Sequence, residues 1–389
     1  MFRLRLRNFL VSLLFALLLP GASQVAAQQP KASPSPSPTP TPSRSDEQEP
    51  IRIFTEEVRL PVLAVDEFGH FDPSLETDDI LVLEDGKPQQ IKNVRHIPAN
   101  VLILLDMGGE MPLAKSIRST REIALRLLEK LKEGDSLSVI QFSERTERLQ
   151  DWTVDKSSVA YVLKTKLSGG RRARLSEGIL AAVAQLKTVP AGSRHLVIIS
   201  DGVETPGGKV KYEDAVKELV ASQTTVHVIS YSALVRAAVE KRYSKGIFKG
   251  GTGVPKDRNP MSNPVASGDP TKAPGTQSSP SYSLGSIDLD RKMRRWYRDY
   301  GKATVASEQR LSALVTESGG RISVPNSMDD MLKQSDEVAR EIGAQYVVTY
   351  RPARALSESK PGEYRRIEIA SRRVGLHLSA RRGYVTTPP

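Results

Sequence analysis

The chain of 389 residues has no cysteine. It can form no disulfide, offer no thiolate to a metal and carry no lipid on a cysteine, so it must rely on a packed core. Its five histidines, at positions 70, 96, 195, 227 and 377, show no metal-ligand spacing. There is no Gly-x-Ser-x-Gly elbow and no glycine-rich phosphate loop ending in Lys-Ser/Thr. "FKGGTGVP" is glycine-rich but does not sit between a strand and a helix. These absences remove the commonest hydrolase and nucleotide-binding readings and leave an unrecognised enzyme as an open alternative only.

Long apolar runs are also missing. The longest, in "MFRLRLRNFLVSLLFALLLPGASQVAAQQ", covers about twelve residues, short of the ~20 that span a bilayer. Arg3, Arg5 and Arg7 precede it and Val25-Ala26-Ala27 follows it, the pattern of a secretory signal cut after Ala27. The expectation is a secreted or periplasmic protein that is not a lipoprotein, with an uncleaved anchor as the alternative. Residues 28–50, rich in Pro, Ser and Thr, read as an extended tether.

Ordered sequence starts near Ile51. "VRLPVLAVDEFGHF" alternates apolar residues and then turns, and "DILVLEDGKPQQIKNV" reads as two further strands, a first β-module part over 51–97. From residue 98 the rhythm becomes strand then helix. "VLILLD", "SLSVIQF", "RHLVIISDG" and "TTVHVISYS" are strands. "PLAKSIRSTREIALRLLEKLKEGD", "EGILAAVAQL", "YEDAVKELVAS", "SEQRLSALVTESGG" and "SMDDMLKQSDEVAREIG" are helices. Apolar strands alternating with helices imply a doubly wound, mostly parallel α/β sheet over 98–343. Residues 344–389 return to strands, "AQYVVTYRP", "EYRRIEIAS" and "GLHLSARRGY". The economical arrangement sets the α/β domain into a discontinuous β-module whose second part is 344–389.

The strand-end segments "LLDMGGEM", "SGGRRARLSEGI" and "LVIISDGVET" resemble the three loops of the von Willebrand factor A domain. With "VLAVDEFGHF", "DILVLEDGKPQQI", "LVTESGGRISVP", "YVVTYRP" and "ARRGY", the chain is similar to the VWFA-related family of secreted acidobacterial proteins. That resemblance implies a metal-ion-dependent adhesion site written Asp-x-Ser-x-Ser, Thr and Asp, in which oxygen ligands hold Mg²⁺ and a partner's carboxylate completes the shell. Asp106 and Asp201 match its acids, but Gly108 and Glu110 replace the serines and Ala173 the threonine. The site reads as degenerate, with no cofactor expected. Mg²⁺ or Ca²⁺ held by Asp106, Glu110 and Asp201 is the alternative. The loop that lost its threonine has gained Arg171, Arg172 and Arg174, and Arg172 or Arg174 is expected to supply the missing positive charge to Asp106 or Asp201.

Residues 233–303 form an insertion whose middle, rich in Gly, Pro, Ser and Asn, reads as disordered. Fourteen Lys and Arg against six Asp and Glu give it a net +8, out of +11 for the whole chain. Its stretch "DRKMRRWYRDYGK" offers Arg294, Arg295, Trp296, Tyr297 and Arg298 as candidate partner-binding residues. After export the expected partner is a protein, acidic in character, or an anionic envelope surface rather than nucleic acid; composition does not speak to oligomeric state. Taken together, the residues and the resemblance imply an exported, non-enzymatic interaction or adhesion module.

Overall fold

The computed structural model describes residues 57–109, 115–246 and 284–386. The signal and tether expected over 1–50, Glu110, and the middle of the insertion lie outside the described residues. The described residues fall in one compact unit.

The central sheet contains β5 (Asn100–Asp106), β6 (Ser136–Phe142), β7 (Thr146–Thr153), β8 (Arg194–Ser200), β9 (Thr225–Ser230) and β10 (Ile322–Ser323), ordered β10-β9-β8-β5-β6-β7. All pairs are parallel except β6 with β7. β5, β8 and β9 are buried on both faces almost throughout, which is why each reads as an unbroken apolar run and not as an alternation.

One face packs on α1 (Ile117–Lys130), α2 (Lys156–Thr165) and α7 (Met328–Ala344), through Ile103, Leu105, Ile123, Leu127, Val159 and Ile342. The other packs on α3 (Leu175–Leu186), α4 (Tyr212–Ala221) and the C-terminal half of α6 (Leu284–Ser318), through Leu102, Leu104, Ile179, Leu219, Leu311 and Leu314. A further helix, α5 (Ser232–Gly246), follows β9. This is the doubly wound α/β arrangement expected from the sequence. α1 and α7 start where Ser116 and Ser327 accept a backbone N–H of the first turn, each such cap contributing about 1 kcal/mol.

The chain runs outward from β5 through β6 to β7, then returns to lay β8 on the other side of β5. That reversal opens a crevice beyond the carboxyl ends of β5 and β8, the place where doubly wound sheets put their sites. Asp106 ends β5 and Asp201 follows β8.

Two smaller sheets enclose a separate core. One has the order β13-β1-β11-β4 and the other β14-β12-β2-β3. Their strands are β1 (Val58–Val65), β2 (Ile80–Glu84), β3 (Lys87–Pro88), β4 (Gln90–Arg95), β11 (Tyr346–Arg351), β12 (Tyr364–Ser371), β13 (His377–Ala380) and β14 (Gly383–Val385). β1 pairs with β11 and β13, and β2 with β12, so each sheet combines strands from both ends of the chain, alternating in the first and meeting at the β2–β12 pair in the second. β2 and β3 form a hairpin about Asp85-Gly86, both at positive φ, as a two-residue turn of that hand requires. β4 leaves that hairpin and joins the other sheet beside β11. Within this core Arg365 donates to Glu84 at 2.7 Å, and Tyr350 and Tyr384 donate to the second Glu84 oxygen at 2.7 and 3.1 Å.

The insertion departs from expectation. Helix α5 enters it from one side, and α6 begins inside it and continues into the helix expected from "SEQRLSALVTESGG", so residues 233–246 and 284–303 of the insertion are helical; its Gly-, Pro- and Ser-rich middle lies outside the described residues. The physical reason is packing: Trp296 and Tyr300 rest against the central core and fix the helix there. Two further elements, β7 and α2, lie in a stretch with no clear sequence signal. β7 is an edge strand with irregular register and no apolar alternation.

Candidate functional site

Asp106 and Asp201 converge at the crevice, with their side chains fully buried. Between them lies the ammonium of Lys115. Its Nζ is 2.9 Å from Asp106 Oδ1 and 3.8 Å from Asp201 Oδ2, and its side chain is 6 % exposed. Lys115 directly precedes the N-cap of α1, so the helix backbone fixes where the side chain begins its reach.

Every carboxylate oxygen of the pair has a donor. Asp106 Oδ1 accepts from the Gly108 N–H at 3.1 Å and Oδ2 from Ser200 Oγ at 2.6 Å. Asp201 Oδ1 accepts from the Val203 N–H at 3.0 Å and Oδ2 from Tyr300 Oη at 2.8 Å. Helix α6 is docked on the same residue a second time, because Ser307 Oγ donates to the Asp201 carbonyl at 2.7 Å. Trp296 packs against Tyr300 in a tilted arrangement, with ring centroids 5.4 Å apart.

The electrostatics follow from burial. Loss of water pushes the Asp106 carboxyl up to about 6, against the pull of the Lys115 ammonium and with the repulsion of Asp201. Burial acts to neutralise Lys115, but the two carboxylates outweigh it and hold the ammonium above its usual range. The three groups form a compensated cluster in which a positive charge separates two acids that would otherwise repel.

These residues do not fit a divalent cation of the adhesion-site type. A cation between Asp106 and Asp201 would have to displace the Lys115 ammonium. Nor can the missing serine be restored by exchange alone. A Cβ on Gly108 would lie 1.9 Å from the Arg172 carbonyl oxygen, so the 171–174 loop has closed onto the backbone where the hydroxyl would stand. Gly109, at φ +110°, runs over the ammonium, and a Cβ there would meet Lys115 Nζ at 3.1 Å. Glu110, the third acid proposed for the alternative, lies outside the described residues.

The expectation that Arg172 or Arg174 carries the compensating charge is therefore corrected. Arg172 is exposed, and its part in the site is its backbone carbonyl against Gly108. Arg174 is buried but turns the other way, donating to the carbonyls of Thr205 and Pro206 at 2.8 and 3.2 Å. With Ala173 N–H bonded to Thr205 Oγ1 at 3.0 Å and Ser176 Oγ to Glu204 at 2.5 Å, it ties two loops of the crevice rim together. A signal for Lys115 did exist. A lysine at the start of a helix meets the positive end of the helix dipole and is disfavoured there unless acids hold it.

The partner-binding candidates divide. Trp296 is half-buried against the core and Arg295 is exposed, 3.9 Å from Asp299. Arg298 is exposed, and the side chains of Arg294 and Tyr297 lie outside the described residues. Away from the crevice, near the start of β8, His195 and His227 stack at 5.7 Å in the interior. Burial pushes His195 down to about 4 and His227 well below its usual range.

Geometry and comparison agree on the class. Residues 100–249 match the sequence model of the von Willebrand factor type A domain, so the chain carries a VWA domain whose crevice holds the Asp106–Lys115–Asp201 cluster. Among curated proteins, the chain is similar to bovine (Bos taurus) inter-alpha-trypsin inhibitor heavy chain H4, 26% identical over 165 residues, covering 37% of this chain and 18% of that one. It is also similar to mouse (Mus musculus) heavy chain H3, 26% identical over 122 residues, covering 28% of this chain and 14% of that one. The chain thus spans less than a fifth of the length of these relatives. A solved von Willebrand factor type A protein from Catenulispora acidiphila aligns over 86% of this chain and 75% of its own, at 8% identity and a TM-score of 0.38.

Proposed function

We propose that this protein is an exported, non-enzymatic interaction module in which a lysine ammonium has replaced the divalent cation of the VWA adhesion site. The observation that carries the reading is Lys115 Nζ, 2.9 Å from Asp106 and 3.8 Å from Asp201. A permanently held cation of this kind fixes the crevice loops at any ion concentration, so partner binding does not depend on Mg²⁺ or Ca²⁺. It also removes the open coordination position through which a metal would take a partner's carboxylate, and Tyr300 covers the Asp201 side. The sequence supports export through the signal-like start and the tether. A non-enzymatic role is supported by the site itself, where, among the described residues, Asp106, Lys115 and Asp201 are paired with one another and Tyr300 of α6 donates to Asp201.

Isothermal calorimetry of the wild-type protein with Mg²⁺, Mn²⁺ and Ca²⁺ tests the reading. No heat of specific binding at sub-millimolar ion is expected. Saturable binding that is lost in Asp106→Ala would restore the cation-dependent adhesion site.

A further inference from the structure

The crevice is closed, but a second surface beside it is open. Helices α5 and α6 leave a groove of about 410 Å³ lined by Arg236, Glu240, Arg298, Gly301, Lys302 and Val305. On α6 the last four are spaced i, i+3, i+4 and i+7, a single helical face. Trp296 and Tyr300 occupy the opposite face and turn inward to the core. The basic-aromatic segment therefore splits by helical geometry into an anchoring side and a presenting side.

The groove carries more cations than acids, with Arg236, Arg298 and Lys302 against the single lining carboxylate of Glu240. Arg236 is engaged by Glu308 at 2.6 Å. Arg298 and Lys302 are exposed and have no carboxylate partner among the described residues. Val305 leaves 46 % of its surface to solvent, and a Cβ at Gly301 would meet nothing within 4 Å, so the floor between the two cations is open.

We propose that this groove is the partner-docking site and takes an extended acidic segment of a partner protein. The inference rests on the cation-independent interaction module argued above and names its binding surface. Arg298 and Lys302 are one turn apart, about 6 Å along the helix, and Val305 follows about 4.5 Å further on. Alternate residues of an extended strand are about 6.8 Å apart on one side. A segment of the form acid-x-acid-x-aliphatic thus sets its two carboxylates on Arg298 and Lys302, and its apolar side chain starts about 3 Å past Val305, within reach of an aliphatic side chain. The guanidinium favours the fork geometry of a carboxylate. Two cations one helical turn apart beside a single exposed aliphatic residue make a patch that one short segment covers, whereas a membrane surface calls for a broad basic face. The carboxylate recognition that the VWA crevice has given up is here supplied by side chains.

Fluorescence anisotropy of the full chain in EDTA tests this, with fluorescein-Gly-Glu-Ser-Glu-Ser-Leu-Gly as probe and its Gln/Gln counterpart as control. The acidic probe is expected to bind, and the Gln/Gln probe to bind roughly tenfold or more weakly. The double reversal Arg298→Glu with Lys302→Glu is expected to weaken the acidic probe by roughly tenfold or more, and Val305→Ser by about twofold to threefold. Arg295→Glu, on the same helix but outside the groove, is expected to change binding less than about twofold. Equal losses from Arg295→Glu and the double reversal would overturn the groove in favour of diffuse charge attraction. So would binding of phosphatidylglycerol vesicles, lost in the double reversal, with no binding of the peptide. Either result leaves the calorimetric test of the crevice untouched, so failure of the groove is distinguishable from failure of the metal-free site.

Discussion

Replacing Lys115 by Met keeps most of its volume and removes its charge, so the variant isolates the electrostatic role. In the wild type the ammonium lies 2.9 Å from one fully buried carboxylate and 3.8 Å from another. Without it, two acids share one dry site. Breaking a buried ion pair from one side costs about 3–5 kcal/mol, which at ~2–4 °C per kcal/mol for a domain of this size lowers the melting temperature by roughly 6–20 °C. The pH dependence has a definite sign. Asp106 is raised to about 6 when folded, above its unfolded value, so it favours folding fully below the unfolded value and loses that contribution as pH rises through the folded one. Removing Lys115 takes away the main force holding Asp106 down. The window then moves upward, and the variant's defect is larger at pH 8 than at pH 5. Divalent ions should partly rescue Lys115→Met or, with more room, Lys115→Ala, since a ligand at a hundred times its Kd stabilises by about 2.7 kcal/mol. Thermal melts at pH 5 and 8, with and without Mg²⁺, read all three effects. A loss below about 1 kcal/mol, the range of a surface pair, or a defect that does not grow with pH, would refute the reasoning.

Other consequences can be measured alongside. Tyr300→Phe removes the donor to Asp201 Oδ2 and should destabilise by about 1.5–3 kcal/mol, the worth of a hydrogen bond to a charged group; hydrogen exchange should rise in α6 and leave α3 unchanged. Glu84→Ala takes from the buried Arg365 guanidinium its carboxylate, leaving it the Arg354 and Ala355 carbonyls and Ser359, and leaves two tyrosine hydroxyls without their acceptor; it should cost about 3–5 kcal/mol in chemical denaturation. His195, held at about 4 by burial, refuses a proton that the unfolded chain accepts below pH 6.5. Stability should therefore fall from pH 6.5 to 4, and His195→Leu should flatten that slope by about 3 kcal/mol. Glu341, raised by burial to about 7, acts in the opposite sense, gaining stability as it is protonated, so the slope is best compared between variant and wild type.

The doubly wound core was legible because β5, β8 and β9 are buried on both faces, which leaves an unbroken apolar signature. The same logic explains what was not. β7 is an edge strand with mixed exposure, and a strand without alternation leaves little trace. The C-terminal part of α6 is legible in "SEQRLSALVTESGG", but its N-terminal part is hidden because it is basic and its anchors, Trp296 and Tyr300, are few and one turn apart. Asp106 and Asp201 stood out from their strand ends, but their partner did not. By sequence, the arginines in the loop that lost the threonine are the natural source of charge, yet loop arginines are free to turn toward carbonyls, as Arg174 does. Lys115 lies nine residues after Asp106, at a helix start where a cation is out of place on local grounds. Only the fold reveals that two carboxylates wait there.

The most direct test is a crystal of the full chain grown with Mn²⁺ and measured at the manganese absorption edge. The account predicts no anomalous peak between Asp106 and Asp201, and ordered Lys115 side-chain density reaching Asp106 at about hydrogen-bonding distance. An anomalous peak bound by both aspartates, with Lys115 turned away, would contradict it.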